Sequence, residues 1–217
     1  MPSIPIKPEY GPTLPSMLAP SWHRASRVVR TVTVVCGVVV LVLLAGAVLT
    51  LLNSTYGHGG SRSFHFSYRG LYRTKPEPGG FIRVQSHSPS GRLEYSFAVN
   101  PLELPPYHGA MLGEVPLYAS AYIAELSRRY PGFVLRGEGK VRLNSKLGGY
   151  QVAYTTIVDG RRMLGRNVLL LHERTGERSG VELVMLTAPG ANPQITEPFE
   201  VGSTGVLQRP LKTFALG

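Results

Sequence analysis

Residues 150–172 read YQVAYTTIVDGRRMLGRNVLLLH, and this stretch carries the strongest fold signal in the chain. Two runs rich in β-branched, aromatic and aliphatic residues, 150–158 and 163–172, flank a short polar turn. The turn contains Asp159-Gly160, which is typical of a type I′ turn because both central positions need a positive φ. The pattern predicts an antiparallel hairpin, and the nearly continuous apolar run of its second strand favours a sheet covered on both faces.

Further strands are predicted on both sides of this hairpin from alternating apolar and polar residues. They are residues 63–68, 81–85, 93–99, 133–143 and 181–187. Pro101 is expected to end the third of them, while Gly148-Gly149 and Thr175-Gly176 are expected to form turns. These segments predict an antiparallel sheet whose second half is a three- or four-stranded meander.

One amphipathic helix is predicted between the strands, because residues 117–130 contain no Gly or Pro and place apolar side chains on one face. Pro116 is expected to begin it and Pro131-Gly132 to end it. Residues 193–209 predict a short C-terminal helix. The fold class is therefore α+β: an antiparallel sheet with one packed amphipathic helix and a short C-terminal helix, preceded by one transmembrane helix.

The 22 residues 31–52, TVTVVCGVVVLVLLAGAVLTLL, contain no charged side chain. As a helix they would be roughly 33 Å long, enough to cross a hydrocarbon core of about 30 Å. A buried core helix and a cleaved signal peptide are the alternatives. Core helices rarely stay so apolar over this length, and the 30 preceding residues exceed the n-region of a signal peptide. We expect an uncleaved anchor that contacts the lipid bilayer through residues 31–52.

The charges on either side of this segment predict its orientation. Four cations precede it, namely Lys7, Arg24, Arg27 and Arg30. Residues 53–61, which follow it, contain no Lys or Arg. Because cations next to a span stay on the cytoplasmic side, the N-terminus is predicted in the cytoplasm and the C-terminal domain outside the cell membrane.

Four regions are predicted along the chain. They are a Pro-rich cytoplasmic tail (1–30), a transmembrane helix (31–52), a flexible Gly/Ser-rich linker (53–62) and an extracytoplasmic α+β domain (63–217). The prolines of the tail fit polyproline II, which Pro-binding modules recognise, or a tail in which they merely prevent helix formation. The outer domain is long enough to bury a core without disulfides.

Composition excludes several classes of protein. The 217 residues include one cysteine, Cys36, so a disulfide scaffold, a zinc ribbon and a CxxC redox centre are excluded within one chain. The only Asp, Asp159, lies in the predicted turn, which excludes an aspartic dyad and an EF-hand loop. The sequence has no phosphate-binding glycine loop, no GxSxG turn and no histidines spaced as metal ligands. A non-catalytic protein that uses no cofactor and no metal is predicted.

Two segments of the outer domain carry a family resemblance. Residues 94–101, EYSFAVNP, are similar to an early strand that ends in Pro, and residues 148–154, GGYQVAY, to a small-residue start of a long central strand. Through these and the element order over about 63–215, the domain resembles the Mog1/PsbP-like group, which includes secreted actinobacterial lipoproteins of the LpqN type. Leu102 stands where an aromatic often follows the Pro. The resemblance implies a non-catalytic binding or assembly module and assigns no functional residue.

Positive charge is the remaining functional signal. The net charge is +10, and residues 54–217 hold 19 Lys and Arg against 12 Asp and Glu. Arg161, Arg162 and Arg166 are predicted to contact a partner such as an anionic lipid headgroup or wall polymer, with an ordinary basic solvated surface as the alternative. Nucleic acid is not an expected partner, because no basic motif of a known nucleic-acid-binding type is present. The 18 Arg to 5 Lys fit a GC-rich bacterial source.

A Pro- and Gly-rich loop over residues 100–115 supplies a second candidate contact. Pro105, Pro106 and Tyr107 are apolar yet lie outside the predicted helices and strands, so they are expected to contact a partner, unless the loop packs over the sheet. The sequence as a whole predicts a single-pass, membrane-anchored binding or assembly module of the cell envelope. Its expected partner is an unidentified envelope protein or an anionic lipid or polymer.

Three other interpretations stay open. The first is a membrane-tethered carrier of a lipid or other apolar ligand, for which a pocket shared by four aromatic residues would be the sign. Those residues are Tyr95, Phe97, Tyr150 and Tyr154. The second is a hydrolase whose site is assembled only in the fold. The third is an NTF2-like domain, although such domains normally begin with helices and strands come first here.

Overall fold

The computed structural model of the protein describes residues 26–51, 54–104, 111–144, 147–171 and 179–217. The chain divides into two compact units, residues 1–51 and 52–217. One described helix lies in the first unit, and the second contains two antiparallel sheets and the remaining helices. The fold class is α+β, as predicted.

The helix of the first unit, α1, spans Arg27–Leu51. The 20 residues Arg27–Gly46 have a mean hydropathy of 2.6, and none of this segment is buried in the protein. α1 is therefore long and apolar enough to cross a membrane, and it coincides with the predicted segment 31–52 apart from one extra turn at its start.

The second unit contains ten strands, two α-helices and one 3-10 helix in the part of the chain that the structure describes. In chain order they are β1 (Ser54–His58), β2 (Phe64–Tyr68), β3 (Tyr72–Thr74), β4 (Ile82–His87), β5 (Leu93–Glu103), α2 (Met111–Arg129), β6 (Val134–Leu143), β7 (Leu147–Val158), β8 (Arg161–Leu171), β9 (Ser179–Thr187), the 3-10 helix (Pro198–Glu200), α3 (Gln208–Thr213) and β10 (Ala215–Leu216).

Seven strands form the central sheet in the order β3-β4-β5-β9-β8-β7-β6. Every neighbouring pair is antiparallel. The strands β6 to β9 are the predicted meander, and β9 joins it to β5. β1, β2 and β10 form a second, three-stranded antiparallel sheet, which packs on the central sheet through β2.

The hairpin between β7 and β8 is confirmed. Asp159 and Gly160 have φ values of 51° and 72°, as the type I′ turn requires. The predicted turn at Gly148-Gly149 is wrong, because both residues lie inside β7. A Cβ on Gly149 would lie 2.6 Å from the Leu169 carbonyl oxygen, so the glycine there permits close strand approach rather than a turn.

The flexible linker predicted over residues 53–62 contains a strand, which corrects that prediction. β1 pairs with β2 from Ser54 to His58. Tyr56 anchors it, because its ring centroid lies 5.8 Å from that of Phe64 and 5.9 Å from that of Phe66. The segment is rich in Gly and Ser, and this composition predicts a flexible linker. Composition does not show that Tyr56 contacts the two phenylalanine rings.

Apolar residues cover the central sheet on both faces, as the sequence predicts. One core lies between the sheet and the layer formed by β2, the 3-10 helix and α3, and includes Phe66, Phe97 and Leu183. The other lies between the sheet and α2, and includes Tyr122, Leu126 and Val152. α2 thus takes the place of the predicted packed helix.

The predicted start of α2 and the predicted end of β5 are both wrong, and each was based on a proline. α2 begins at Met111 and continues through Pro116, where the prediction had it begin. β5 continues through Pro101 to Glu103. β4 pairs with β5 only as far as Val99, so on that side Pro101 has no neighbouring strand that needs its missing N–H. The C-terminal α-helix begins at Gln208, near the end of the segment predicted for it.

Candidate functional site

A groove lies at one corner of the central sheet, where β6, β7 and β8 meet the segment that follows β9. Its volume is about 660 Å³. We call it the arginine groove. Its lining includes Arg136, Thr155, Arg162, Leu164, Ile195 and Phe199.

β8 carries Arg162 into the arginine groove. Side chains alternate between the two faces along a strand, so Arg162 shares its face with the buried Leu164, and Arg161 points to the opposite face. Arg162 is exposed, and it forms no ion pair with any described residue. The sheet therefore separates Arg161 from Arg162, although the two are adjacent in the chain.

Arg166 lies on the same face as Arg162 but is buried, with 8% of its surface exposed. Its Nε donates a hydrogen bond to Gln151 Oε1 at 2.9 Å, and its Nη1 donates to the Val201 carbonyl at 3.0 Å. Burial lowers the pKa of this guanidinium. The prediction that Arg166 is a surface contact for a partner is wrong, because the chain after the 3-10 helix covers it.

A β-bulge in β6 supplies the second arginine of the groove. The register between β6 and β7 shifts by one residue after Leu135, which leaves Arg136 without a cross-strand partner. A bulge of this kind re-aims the side chain of the extra residue. Arg136 is exposed and lines the groove, and it has no ion-pair partner among the residues that the structure describes.

A cross-strand pair, Thr155 on β7 and Leu164 on β8, forms the floor of the groove. Only 3% of Thr155 is exposed. Its hydroxyl has no hydrogen-bond partner within the described ranges. A buried hydroxyl without a partner costs about 1–3 kcal/mol, so it is an uncommon feature in a folded protein. The Thr155 side chain lines the groove, and its hydroxyl oxygen is itself buried.

Phe199 forms one wall of the groove, and Gly137 makes room for its ring. A Cβ on Gly137 would lie 2.6 Å from Cζ of Phe199. The chain before Phe199 is held by the Glu200 carboxylate, which accepts hydrogen bonds from the N–H groups of Thr196 at 2.7 Å and Glu197 at 3.0 Å. These bonds lower the pKa of the Glu200 carboxyl. The wall is therefore formed by contacts within the domain.

The chemistry of the groove favours an anionic group. Two guanidinium groups without an ion-pair partner among the described residues line the groove, and its floor contains Leu164 and Ile195. Guanidinium groups bind carboxylates and phosphates through paired, charge-assisted hydrogen bonds. Glu197 at the exposed rim is the single carboxylate of the lining. The groove can therefore hold one anionic group together with an apolar neighbour.

A second polar cluster lies on the other face of the sheet, under α2. Glu182 on β9 is buried, with 6% exposed. Its carboxylate accepts hydrogen bonds from the Tyr122 hydroxyl, from Asn167 Nδ2 at 3.0 Å and from Asn100 Nδ2 at 3.2 Å. Burial raises the pKa of Glu182, and burial together with the Glu182 charge raises the pKa of Tyr122 well above its ordinary value.

A cavity of about 200 Å³ opens beside Glu182. Glu77 lines it and pairs with Arg129 at 3.1 Å and with Arg83. Both carboxylate oxygens of Glu182 are already bonded within the domain. This network therefore fixes α2 on the sheet, which is the usual role of a fully bonded buried polar cluster.

The aromatic residues expected to mark a carrier of apolar ligands do not come together. Tyr95 and Phe97 belong to one core, and Tyr150 and Tyr154 belong to the core on the other face. Because the sheet lies between the two cores, these side chains cannot line a common pocket. These four residues therefore do not form the shared pocket that would have favoured a carrier of apolar ligands.

The remaining predicted site residues are not tested by the structure. Pro105, Pro106 and Tyr107 lie outside the described residues, so the contact loop stays a prediction. The predicted turn at Thr175-Gly176 lies outside them as well. Within the described ranges, no group of three or more His, Cys, Asp or Glu side chains could hold a metal ion.

Sequence reasoning misses Arg136, Thr155 and Glu182. Arg136 is placed by a bulge, which has no sequence signal here except the two nearby glycines of β6. The sequence does not distinguish Thr155 from other strand residues, because its place in the groove depends on the loop after β9. Glu182 does carry a signal, because it is a lone charged residue within the apolar run VELVML. A lone carboxylate in such a run indicates a buried, hydrogen-bonded group.

Comparisons with known proteins give distant structural similarity only. No protein-family model and no curated protein matches the chain. The crystal structure of LpqN, involved in cell envelope biogenesis of Mycobacterium tuberculosis, aligns with a TM-score of 0.48 and 9% identity over 76% of this chain and 91% of that chain. PA94 of Pseudomonas aeruginosa, a protein of unknown function, aligns with a TM-score of 0.35 and 16% identity over 57% of this chain and 87% of that chain. Membership of the Mog1/PsbP-like group stays a prediction.

Proposed function

We propose that this protein is a single-pass membrane protein whose outer domain binds an anionic partner of the cell envelope in the arginine groove, without bond chemistry. In this proposal α1 crosses the bilayer with its N-terminus in the cytoplasm, and residues 54–217 form the binding domain outside. The length and hydropathy of α1 support the anchor. The cations before it and their absence from residues 53–61 support the orientation.

One observation carries the binding role: two guanidinium groups without ion-pair partners among the described residues line one groove. Arg136 and Arg162 come from different strands, and the Thr155 hydroxyl lies buried between them in the sheet. Some guanidinium groups of the described domain are paired with carboxylates, as in Arg83–Glu77 and Arg62–Glu103, whereas Arg136 and Arg162 are not. A groove whose guanidinium groups have no acceptor within the domain can bind an anionic group from outside it.

The proposal is tested with the full-length protein in neutral detergent and four anionic probes: inorganic phosphate, polyglutamate, dihexanoyl-phosphatidylglycerol and its headgroup glycerophosphoglycerol. The methyl NMR signals of Thr155, Leu164 and Ile195 report on the groove. At least one probe should shift these signals, and the double variant R136Q/R162Q should abolish the shift.

The variant R161Q is the control, since it removes the same charge from the opposite face. If no probe shifts the groove methyl signals, or if R161Q reduces the shifts as much as R136Q/R162Q does, the groove is not the binding site.

A further inference from the structure

We infer that the ligand of the arginine groove is the phosphate-bearing headgroup of an anionic membrane lipid. This inference rests on the proposed function and names the chemistry of its ligand.

The number and kind of donors fit one phosphate. A phosphate accepts paired, charge-assisted hydrogen bonds from guanidinium groups. Arg136 and Arg162, both exposed in the lining, provide two such groups. A polyanionic chain is recognised by a longer track of cations, whereas this groove has two and also carries Glu197 at its rim.

The apolar part of the lining distinguishes a lipid from a free anion. Pro189 and Pro193 are exposed in the lining, and the half-buried ring of Phe199 forms a wall of the groove. A fully hydrated anion gains nothing from such contacts, but the glycerol and first methylene groups of a lipid bury apolar surface against them. A volume of about 660 Å³ also lies within the range in which small molecules are bound.

In the proposed function, the membrane anchor keeps the domain close to lipid headgroups. A domain held on a membrane helix meets lipid headgroups at a high effective concentration, so even a weak site is filled. α1 would bring this domain to the membrane whatever the strength of the groove. A site with two arginines therefore does not need a high intrinsic affinity to be occupied by such a ligand.

The test compares dissociation constants of matched probes for the full-length protein in neutral detergent. Dihexanoyl-phosphatidylglycerol and dihexanoyl-phosphatidylcholine have the same acyl chains, so comparing their dissociation constants measures the effect of the net charge. Comparing dihexanoyl-phosphatidylglycerol with glycerophosphoglycerol measures the effect of the acyl chains. We expect the phosphatidylglycerol to bind about tenfold more tightly than either, equivalent to roughly 1.4 kcal/mol in each comparison. R162Q should weaken it about tenfold, as the loss of a charge-assisted bond requires, and R161Q should leave it unchanged.

Each other outcome overturns the inference in a distinguishable way. Equal binding of the phosphatidylcholine rules out recognition of net charge, and equal binding of glycerophosphoglycerol shows that the ligand is a free phosphodiester. Tighter, Arg162-dependent binding of polyglutamate shows that the ligand is an acidic polymer. In the last two cases the proposed anion-binding function stands and the lipid inference falls. If no probe depends on Arg162, both fall.

Discussion

Thr155 and Thr156 are neighbours in β7, and both are buried. The Thr156 hydroxyl donates a hydrogen bond to the Pro131 carbonyl at 3.0 Å, whereas the Thr155 hydroxyl has no described partner. Replacement by Val removes each hydroxyl at nearly constant volume. T156V should lower the free energy of unfolding by about 1 kcal/mol, and T155V should leave it unchanged or raise it by up to about 1 kcal/mol.

Urea or thermal unfolding of the two variants beside the wild type measures this difference. An equal loss of stability in T155V and T156V would show that the Thr155 hydroxyl has a partner in the folded protein.

Glu182 makes stability depend on pH. Burial raises the pKa of its carboxyl, so between its unfolded and folded pKa values the native state binds more protons than the unfolded state. The contribution of Glu182 to stability is therefore greatest below its unfolded pKa and falls as the pH rises through the folded pKa. The amide of E182Q does not titrate, so the stability of E182Q relative to wild type should increase with pH across that window.

Thermal unfolding of both proteins from about pH 4 to about pH 8 covers this range. E125Q, which changes an exposed glutamate of α2, is the control. A difference between E182Q and wild type that stays constant over the range would contradict a raised pKa for the buried carboxyl.

For single residues, the sequence predicts the position of a site residue only where that position depends on the local strand pattern. Arg162 is found because it follows a clear hairpin turn. Arg166 is misassigned, since the pattern shows which face it is on but not that a later segment covers that face. Arg136 and Thr155 depend on a bulge and on the loop after β9, and both arise from contacts between segments distant in the chain.

At the scale of elements, the fit of β6 against the 3-10 helix determines the shape of the arginine groove. A Cβ on Gly137 would meet the ring of Phe199, whereas a Cβ on Gly139 of the same strand has no atom within 4 Å. G137A should lower the free energy of unfolding by about 1–3 kcal/mol, which is typical of overpacking, and G139A should change it by less than about 0.5 kcal/mol.

Denaturant unfolding of the pair tests this contact, and anion binding by G137A tests the wall of the groove. If G137A is as stable as G139A, Phe199 does not pack against β6 as described, and the wall is not formed in solution.

Strands with strong alternation and tight turns are predicted well from the sequence, as the β7–β8 hairpin shows. Elements that depend on distant partners are not. β1 forms because Tyr56 packs on Phe64 and Phe66, and β10 forms because Ala215 and Leu216 pair with β2. Neither segment carries a strand signal of its own, so only the assembled fold reveals them.

At the scale of the whole molecule, the orientation of α1 decides where the groove operates. Single-cysteine variants on a C36S background test it: S3C in the tail and S61C, which replaces an exposed residue. A membrane-impermeant maleimide applied to intact cells should label S61C and not S3C, because the cations before α1 predict a cytoplasmic tail. Labelling of S3C alone would reverse the orientation, and labelling of neither before lysis would place the domain inside the cell.

The central claim is that the arginine groove binds an anionic group, and the neighbouring residues Arg161 and Arg162 test it most directly. R161Q and R162Q remove the same charge one residue apart, on opposite faces of the sheet. The measurement is the dissociation constant of the tightest anionic probe for each full-length variant in the same buffer. We predict that R162Q binds it about tenfold more weakly than wild type and that R161Q binds it as wild type does. Equal weakening in both variants would show that binding follows net charge alone and would contradict a site in the groove.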